Sequence, residues 1–324
     1  MRQHITRAYN SFSINAQLGT ITKTSKETRL ADEINYYREI NKTATDCALY
    51  FPRLLKTEEN TEGFSAALEY YAYDNLGDYM VYQEFDREFW EGVAHATQGV
   101  LSRFGDYKSE GSPSIAESMY IHKTERYYED LVKNFDKFRK MAQPESLVIN
   151  GNRRLNFKGL WKEIVPLINT SLLNLSQTSL IHGDFCFSNI LCGVNKKTAT
   201  TVVKFVDPRG SFGTPGIYGD YLYDHAKLLH SYEGGYEYII FDEFSVTEDM
   251  SSHHYSIEFA NNNKEKIADV FDKTTDFKSY KSKLIEGLIY IGMCSRHYDS
   301  EERQTAMYLT GIETLNKVLE GKIK

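Results

Sequence analysis

The sequence predicts an α+β fold of two unequal lobes: a small mixed β-sheet lobe with one helix, and a larger, mainly helical lobe. Three observations predict it. Through roughly the first 73 residues, apolar positions alternate with polar ones or run in short blocks, apart from one helical stretch; beyond them, helical spacing dominates. The chain has 324 residues, 41% of them hydrophobic, which is length for two lobes and apolar material for a sizeable core. No Gly/Ser-rich linker divides the two patterns, so the lobes are expected to pack together. The expected division is 1–75 and 76–324.

The elements follow in order. Ser11-Phe12-Ser13-Ile14 and Thr20-Ile21-Thr22-Lys23-Thr24 alternate around Asn15 and Gly19, which predicts two strands and a turn. Leu30, Ile34, Tyr37 and Ile40 fall three or four apart, which predicts a helix from Ser25 to about Asn41. After a break at Phe51-Pro52, the run Phe64 to Tyr71 reads as a buried strand, and Asp74 to Asp78 as a turn that starts a helix. A long charged helix is expected within Ser114 to Met141, and another over Leu160 to Leu175.

The most informative stretch is Leu180-Ile181-His182-Gly183-Asp184-Phe185-Cys186-Phe187-Ser188-Asn189-Ile190-Leu191-Cys192. Short apolar runs flank a polar loop, which puts Asp184 and Asn189 in one exposed loop. A turn at 195–198 and an apolar strand, Thr201 to Val206, bring Asp207 to the same end. Three oxygen-bearing side chains then converge. Phosphoryl transfer from ATP needs such a set: a carboxylate for the acceptor hydroxyl, hard oxygen ligands for Mg²⁺, and a cation on the phosphates. Taken alone, His182-Gly183-Asp184 is a loop with a capping Asp; Asn189 and Asp207 at these spacings turn it into a candidate site.

The pattern H-G-D-x-x-x-x-N, followed by Val206-Asp207, resembles the aminoglycoside phosphotransferase and choline kinase group, whose fold is protein-kinase-like. The resemblance implies an ATP- and Mg²⁺-dependent kinase acting on a hydroxyl of a small molecule. It implies Asp184 as catalytic base, Asn189 and Asp207 as Mg²⁺ ligands, and His182 as a brace for the loop. It further implies a strand lysine held by a helix acid. Lys23 and Glu33 are the candidates, with Lys26 and Glu39 as alternatives. Leu68 to Ala72 resembles the hinge that reads the adenine edge, with Glu69 and Tyr71 as nucleotide contacts. The glycine-rich phosphate loop is missing. Asn10 to Asn15 stands in its place, so Ser11, Ser13 and backbone N–H groups are expected to substitute. Pro208-Arg209-Gly210 follows Asp207, and Pro208 fixes φ, which disfavours a flip of this loop.

Asp224 is expected to support the catalytic loop by accepting N–H bonds, with a place facing the substrate as the alternative. Asp220 can cap the helix with Leu222, Ala226 and Leu229 on its apolar face. For Arg209 the sequence leaves open a contact to a phosphate or anionic substrate, or a pair with Asp220. Tyr218, Tyr221, Tyr223, Tyr232, Tyr236 and Tyr238 cluster here; they suit a cage for a quaternary ammonium group, and equally core packing or sugar stacking. Asp207-Pro208-Arg209-Gly210 and Tyr218-Gly219-Asp220 are also similar to phosphotransferase-like proteins encoded with bacterial capsule genes, which implies a sugar, amino-alcohol or glycan-precursor acceptor.

Other classes are disfavoured. Lys plus Arg is 38 against 45 Asp plus Glu, a net charge of −7, so the basic excess of a nucleic-acid binder is absent. No apolar run approaches the roughly 20 residues of a membrane span. The opening residues lack the apolar core of a secretory signal, and a cytoplasmic location is expected. Cys47, Cys186, Cys192 and Cys294 form no C-x-x-C pair, and Cys186 has no evident base beside it. His225, His230, His253 and His254 show no ligand spacing. The rival class is a kinase-like module that binds nucleotide or a partner without turnover.

Overall fold

The computed structural model describes residues 10–61, 63–195 and 200–321. The small lobe is a four-stranded antiparallel sheet of β1 (Asn10–Asn15), β2 (Thr20–Ser25), β3 (Leu54–Asn60) and β4 (Gly63–Glu69), in the order β1-β2-β4-β3. Helix α1 (Arg29–Thr43) lies against it, burying Leu30 and Ile34 with Ala66 of β4. Tyr36, Tyr37 and Ile40 carry the same face into the main core. The register pairs Phe12 with Lys23, and Lys23 with Ala66, so Lys23 sits mid-strand at the centre of the sheet.

Strand β3 is an addition to the expected set. Its residues do not alternate: its register with β4 shifts between Leu54 and Lys56, and Lys56, Glu58 and Glu59 are exposed. The chain leaves the sheet after Glu69. At Asp74–Asn75 it already pairs with Leu191 and Cys192 of the hairpin Ile190–Asn195 and Thr200–Phe205. The turn expected at 195–198 lies largely outside the described residues. Asn75 then caps the helix Leu76–Tyr82, its side chain accepting the Asp78 N–H.

The large lobe is mainly helical. Its centre is the antiparallel pair Tyr280–Cys294 and Glu301–Leu319, both buried along most of their length. Two expected helices need correction. The long helix within Ser114 to Met141 is broken: Pro113–Glu117 runs through a π-helical turn, Ser118–His122, into Lys123–Asn134, and the chain restarts at Asp136–Met141. Phe135 takes extended backbone (φ −126°, ψ 116°) and packs edge-on against Phe138, which separates the last two pieces. The helix expected over Leu160 to Leu175 is Phe157–Ser171, because Asn156 caps it earlier: its Oδ1 accepts the Phe157 N–H.

All four cysteines are buried and free. Among the described residues, no helix is long and apolar enough to cross a membrane.

Candidate active site

The strand Gln177–Leu180 delivers the loop, and hydrogen bonds then lock it. Both Asp224 oxygens accept from its backbone, Oδ2 from His182 N–H at 2.7 Å and Oδ1 from Gly183 N–H at 2.8 Å. Asp224 comes from the helix Tyr221–Tyr232, whose N-cap is Asp220; that carboxyl accepts Leu222 N–H and the Tyr120 hydroxyl. Burial pushes Asp224 up to about 7, against the two N–H donors that favour its charge. His182 is fully buried. Its Nδ1 accepts the Asp184 N–H at 3.2 Å, so its Nε2 carries the proton, donated to Val206 O at 3.0 Å. Burial pulls its pKa down to about 4, which keeps this neutral form.

Gly183 is one place where only glycine fits. Its φ is +78°, and a Cβ there would lie 2.7 Å from Arg209 Cβ. The close approach lets Arg209 N–H reach His182 O at 2.8 Å. Asn189 donates its amide N–H to Asp184 O at 2.8 Å, which leaves its amide oxygen as a donor atom for a cation. Val206 N–H donates to Asn189 O at 3.0 Å, so the segment carrying Asp207 runs beside Asn189. Asp207 has φ +57°, a left-handed conformation that a non-glycine residue holds only under constraint.

The small lobe completes the cleft. Lys23 Nζ lies 2.6 Å from Glu33 Oε2 and 2.7 Å from Asp207 Oδ1, which ties β2, α1 and the large lobe together. Burial works against the Lys23 charge, but Asp207 and Glu33 outweigh it and raise its pKa. Burial raises Glu33 to about 7, with Lys23 pulling the other way. Lys26 is exposed, and Glu39 pairs with Lys42 on the surface, so neither alternative joins this cluster.

These groups line one cavity of about 850 Å³ between the lobes, with Asp184, Asn189, Asp207, Lys23, Glu33, Glu69 and Tyr71 on its walls. Ser11 and Ser13 do not line it. Side chains alternate along β1, and Phe12 and Ile14 take the cleft face. The Glu69 side chain turns to Arg53 Nε (2.6 Å) and the Tyr71 hydroxyl (2.8 Å).

Lys227 was not singled out from the sequence. Its Nζ is 2.8 Å from Asp184 Oδ1, and the residue is 3% exposed. Burial works to raise the Asp184 pKa, but Lys227 and then Arg209 outweigh it and hold the carboxylate well below its usual range. The signal was present: Lys227 follows Asp224 by three, so both share one face of an otherwise apolar helix. The Asp220 carboxyl accepts from the Tyr120 hydroxyl and the Leu222 N–H, and Arg209 lines the cavity. The clustered tyrosines do not form one cage: Tyr223 and Tyr236 line the cavity, while Tyr232 and Tyr238 pack against Phe271 and Phe259.

A four-stranded sheet with one buried lysine–acid pair, set over a helical lobe that presents this loop, is the two-lobed kinase-like architecture. The chain's fold is similar to that of solved aminoglycoside phosphotransferases. The GDP complex of a point mutant of aminoglycoside 2'-phosphotransferase IIIa aligns over 98% of this chain and 90% of that one, at 11% identity and a TM-score of 0.55, which shows the shared fold. An ADP-bound aminoglycoside phosphotransferase aligns over 97% of this chain and 92% of that one, at 12% identity and a TM-score of 0.48. A streptomycin–ATP ternary complex of another aligns over 96% and 88%, at 14% identity and a TM-score of 0.48. No protein-family model and no curated protein sequence matches the chain.

Proposed function

We propose that this protein is a phosphotransferase that moves the γ-phosphoryl group of ATP to a hydroxyl of a small molecule. One observation carries the reading: the bridge Glu33–Lys23–Asp207 meets the loop of Asp184 and Asn189 in a single cleft. Asp184 accepts the hydroxyl proton and orients the oxygen, which bonds to the γ-phosphorus while the bond from phosphorus to the β,γ-bridging oxygen breaks and ADP leaves. Lys23 holds the phosphates, and Glu33 holds Lys23. The segment Glu69 to Tyr71 offers backbone groups to the base.

The donor set fits Mg²⁺. The Asn189 amide oxygen and the Asp207 carboxylate are hard oxygens on adjacent backbone. An ion held by these two groups would take its remaining ligands from phosphates and water. When bound, Mg²⁺ would neutralise charge on the β- and γ-phosphates.

Asp184→Asn tests the assignment. Across a panel of hexoses, uronates, sugar phosphates, amino alcohols and aminoglycosides, acceptor-dependent ADP formation should fall about 10²- to 10⁴-fold, with ATP affinity retained. Turnover that survives the substitution rules out Asp184 as base. Stabilisation by ATP with no turnover on any acceptor favours the non-catalytic binding module.

A further inference from the structure

The cavity is charged differently on its two sides. Acidic residues gather on the nucleotide side, where Glu27, Asp32, Glu33, Glu69 and Asp207 line it. Beyond Asp184, toward the helices Lys123–Asn134 and Tyr280–Cys294, the lining is basic: Lys123, Arg209, Lys227 and Arg296. Lys227 is matched by Asp184. Among the described residues, neither Lys123 nor Arg296 has a carboxylate within ion-pairing distance. Lys123 Nζ instead donates to the Tyr223 hydroxyl at 3.2 Å, and Arg296 lies 5.8 Å from the Tyr127 ring. The other acid on this wall, Asp299, pairs with Arg303.

The two phenols report the field. Burial works to raise both, yet Tyr127 falls below the usual range because Arg296, Lys123, Arg126 and Arg209 outweigh it. Tyr223 does the same under Lys123, Arg209 and Lys227. Lys123 has the opposite strain: burial lowers its pKa, and the Arg209 charge adds to that. Lys123 and Arg296, drawn into a shared cavity with no carboxylate within ion-pairing distance among the described residues, are stabilised by an anion that enters it. The π-helical turn Ser118–His122 runs directly into the helix that supplies Lys123 and Tyr127, and such turns are frequent at functional sites.

We propose that the acceptor is anionic: a hydroxyl compound that carries its own phosphate or carboxylate, held by Lys123, Arg209 and Arg296 with its hydroxyl toward Asp184. This inference rests on the phosphotransferase reading for the role of Asp184, but the charge preference of the pocket stands apart from it. The same field repels amine-rich acceptors. Aminoglycosides carry ammonium groups at neutral pH, so the shared fold would serve an acceptor of opposite charge here.

The test uses one ring with four charge patterns. The full-length protein and a Lys123→Met/Arg296→Gln double variant are titrated calorimetrically with glucose 6-phosphate, glucuronate, glucose and glucosamine, in buffer free of Mg²⁺ and nucleotide. The wild type should bind at least one anionic sugar about tenfold or more tightly than glucose, with glucosamine weakest. Comparing the two anions tells phosphate from carboxylate. The double variant should lose the preference, while its ATP affinity, titrated separately with Mg²⁺, changes less than about twofold. Glucose or glucosamine binding as tightly as both anions, a preference that persists in the folded double variant, or no binding by any of the four overturns the inference. Anion preference without acceptor-dependent ADP formation leaves the pocket in place and removes the phosphotransferase reading instead.

Discussion

Lys23→Met probes the bridge between the lobes, and its effect can be worked out from the burial of its two partners. Methionine keeps the length and the apolar stem and removes the charge. Asp207 is 46% exposed at its side chain, so water replaces much of what Lys23 gave it, and that loss is worth about 1 kcal/mol at most. Glu33 is 5% exposed and has no such route. Burial already holds its carboxyl at about 7 with Lys23 in place. Without Lys23 the pKa climbs further, and the variant avoids a buried unpaired carboxylate by keeping the proton.

The sign follows from the protons bound. Where the native state holds a proton that the unfolded chain has released, stability falls as pH rises. For Glu33 in the wild type that window opens at the ordinary value of 4.5 and closes near 7. In the variant it stays open to higher pH. The penalty of Lys23→Met should therefore be roughly 1–2 kcal/mol near pH 6 and grow by about 1.4 kcal/mol per pH unit above pH 7, reaching roughly 4–5 kcal/mol near pH 9. Adding Glu33→Gln removes the titrating group and with it the growth. Urea denaturation followed by tryptophan fluorescence, at both pH values, measures all three proteins. A penalty equal at the two pH values, or one that Glu33→Gln leaves growing, would refute the claim that Lys23 keeps Glu33 ionised.

Other substitutions test other joints. Lys227→Met removes the 2.8 Å partner of Asp184, so the acid limb of the pH–rate profile should move to higher pH and stability should fall by about 1–3 kcal/mol; an unmoved limb removes Lys227 from control of Asp184. His182→Gln removes a group whose pKa burial pulls from 6.5 to about 4. In the wild type the unfolded chain takes up that proton before the native state does, so acidification costs the wild type alone. The stability gap favouring it at neutral pH should narrow by up to roughly 3 kcal/mol between about pH 6.5 and pH 4, and a gap that stays constant contradicts the assignment. Gly210 has φ +65°, and a Cβ there would lie 2.1 Å from the Asp32 carbonyl oxygen of α1. Gly210→Ala should lower stability by roughly 3 kcal/mol and weaken ATP binding by displacing α1, whereas Gly99→Ala, on an open helix face, should be neutral or stabilising. Equal melting temperatures for the two variants would remove the close approach as a constraint.

What could be read from the chain alone was what short spacings encode. His182, Asp184 and Asn189 fall within eight residues, and the hairpin that follows brings Asp207 to them, so one loop and one strand sufficed. Lys23 and Glu33 are separated by ten residues on a strand and the helix after it, again a local pattern. The edge strand β3 escaped because its register shift between Leu54 and Lys56 and its exposed Lys56, Glu58 and Glu59 break the alternation that marks a strand. The break at Phe135 escaped because no glycine or proline signals the extended backbone there. Ser11 and Ser13 stand where the resemblance puts a phosphate loop, but the two-residue period of β1 assigns the cleft face to Phe12 and Ile14.

The charge of the acceptor side had no local signal at all. Lys123, Arg209, Lys227 and Arg296 come from four separate parts of the chain, and a net charge of −7 points away from a basic pocket. The two facts agree once the cleft is divided at Asp184. On the nucleotide side, Glu27, Asp32, Glu33, Glu69 and Asp207 outnumber Lys23 and Arg29, an arrangement suited to a triphosphate that arrives with a divalent cation. On the far side, the phosphoryl acceptor would enter without that metal, and an anionic acceptor needs its countercharge from the protein. The net charge of the chain is set mostly by residues outside the cleft, so it says little about either half. The division within the cleft is the property that selects the acceptor.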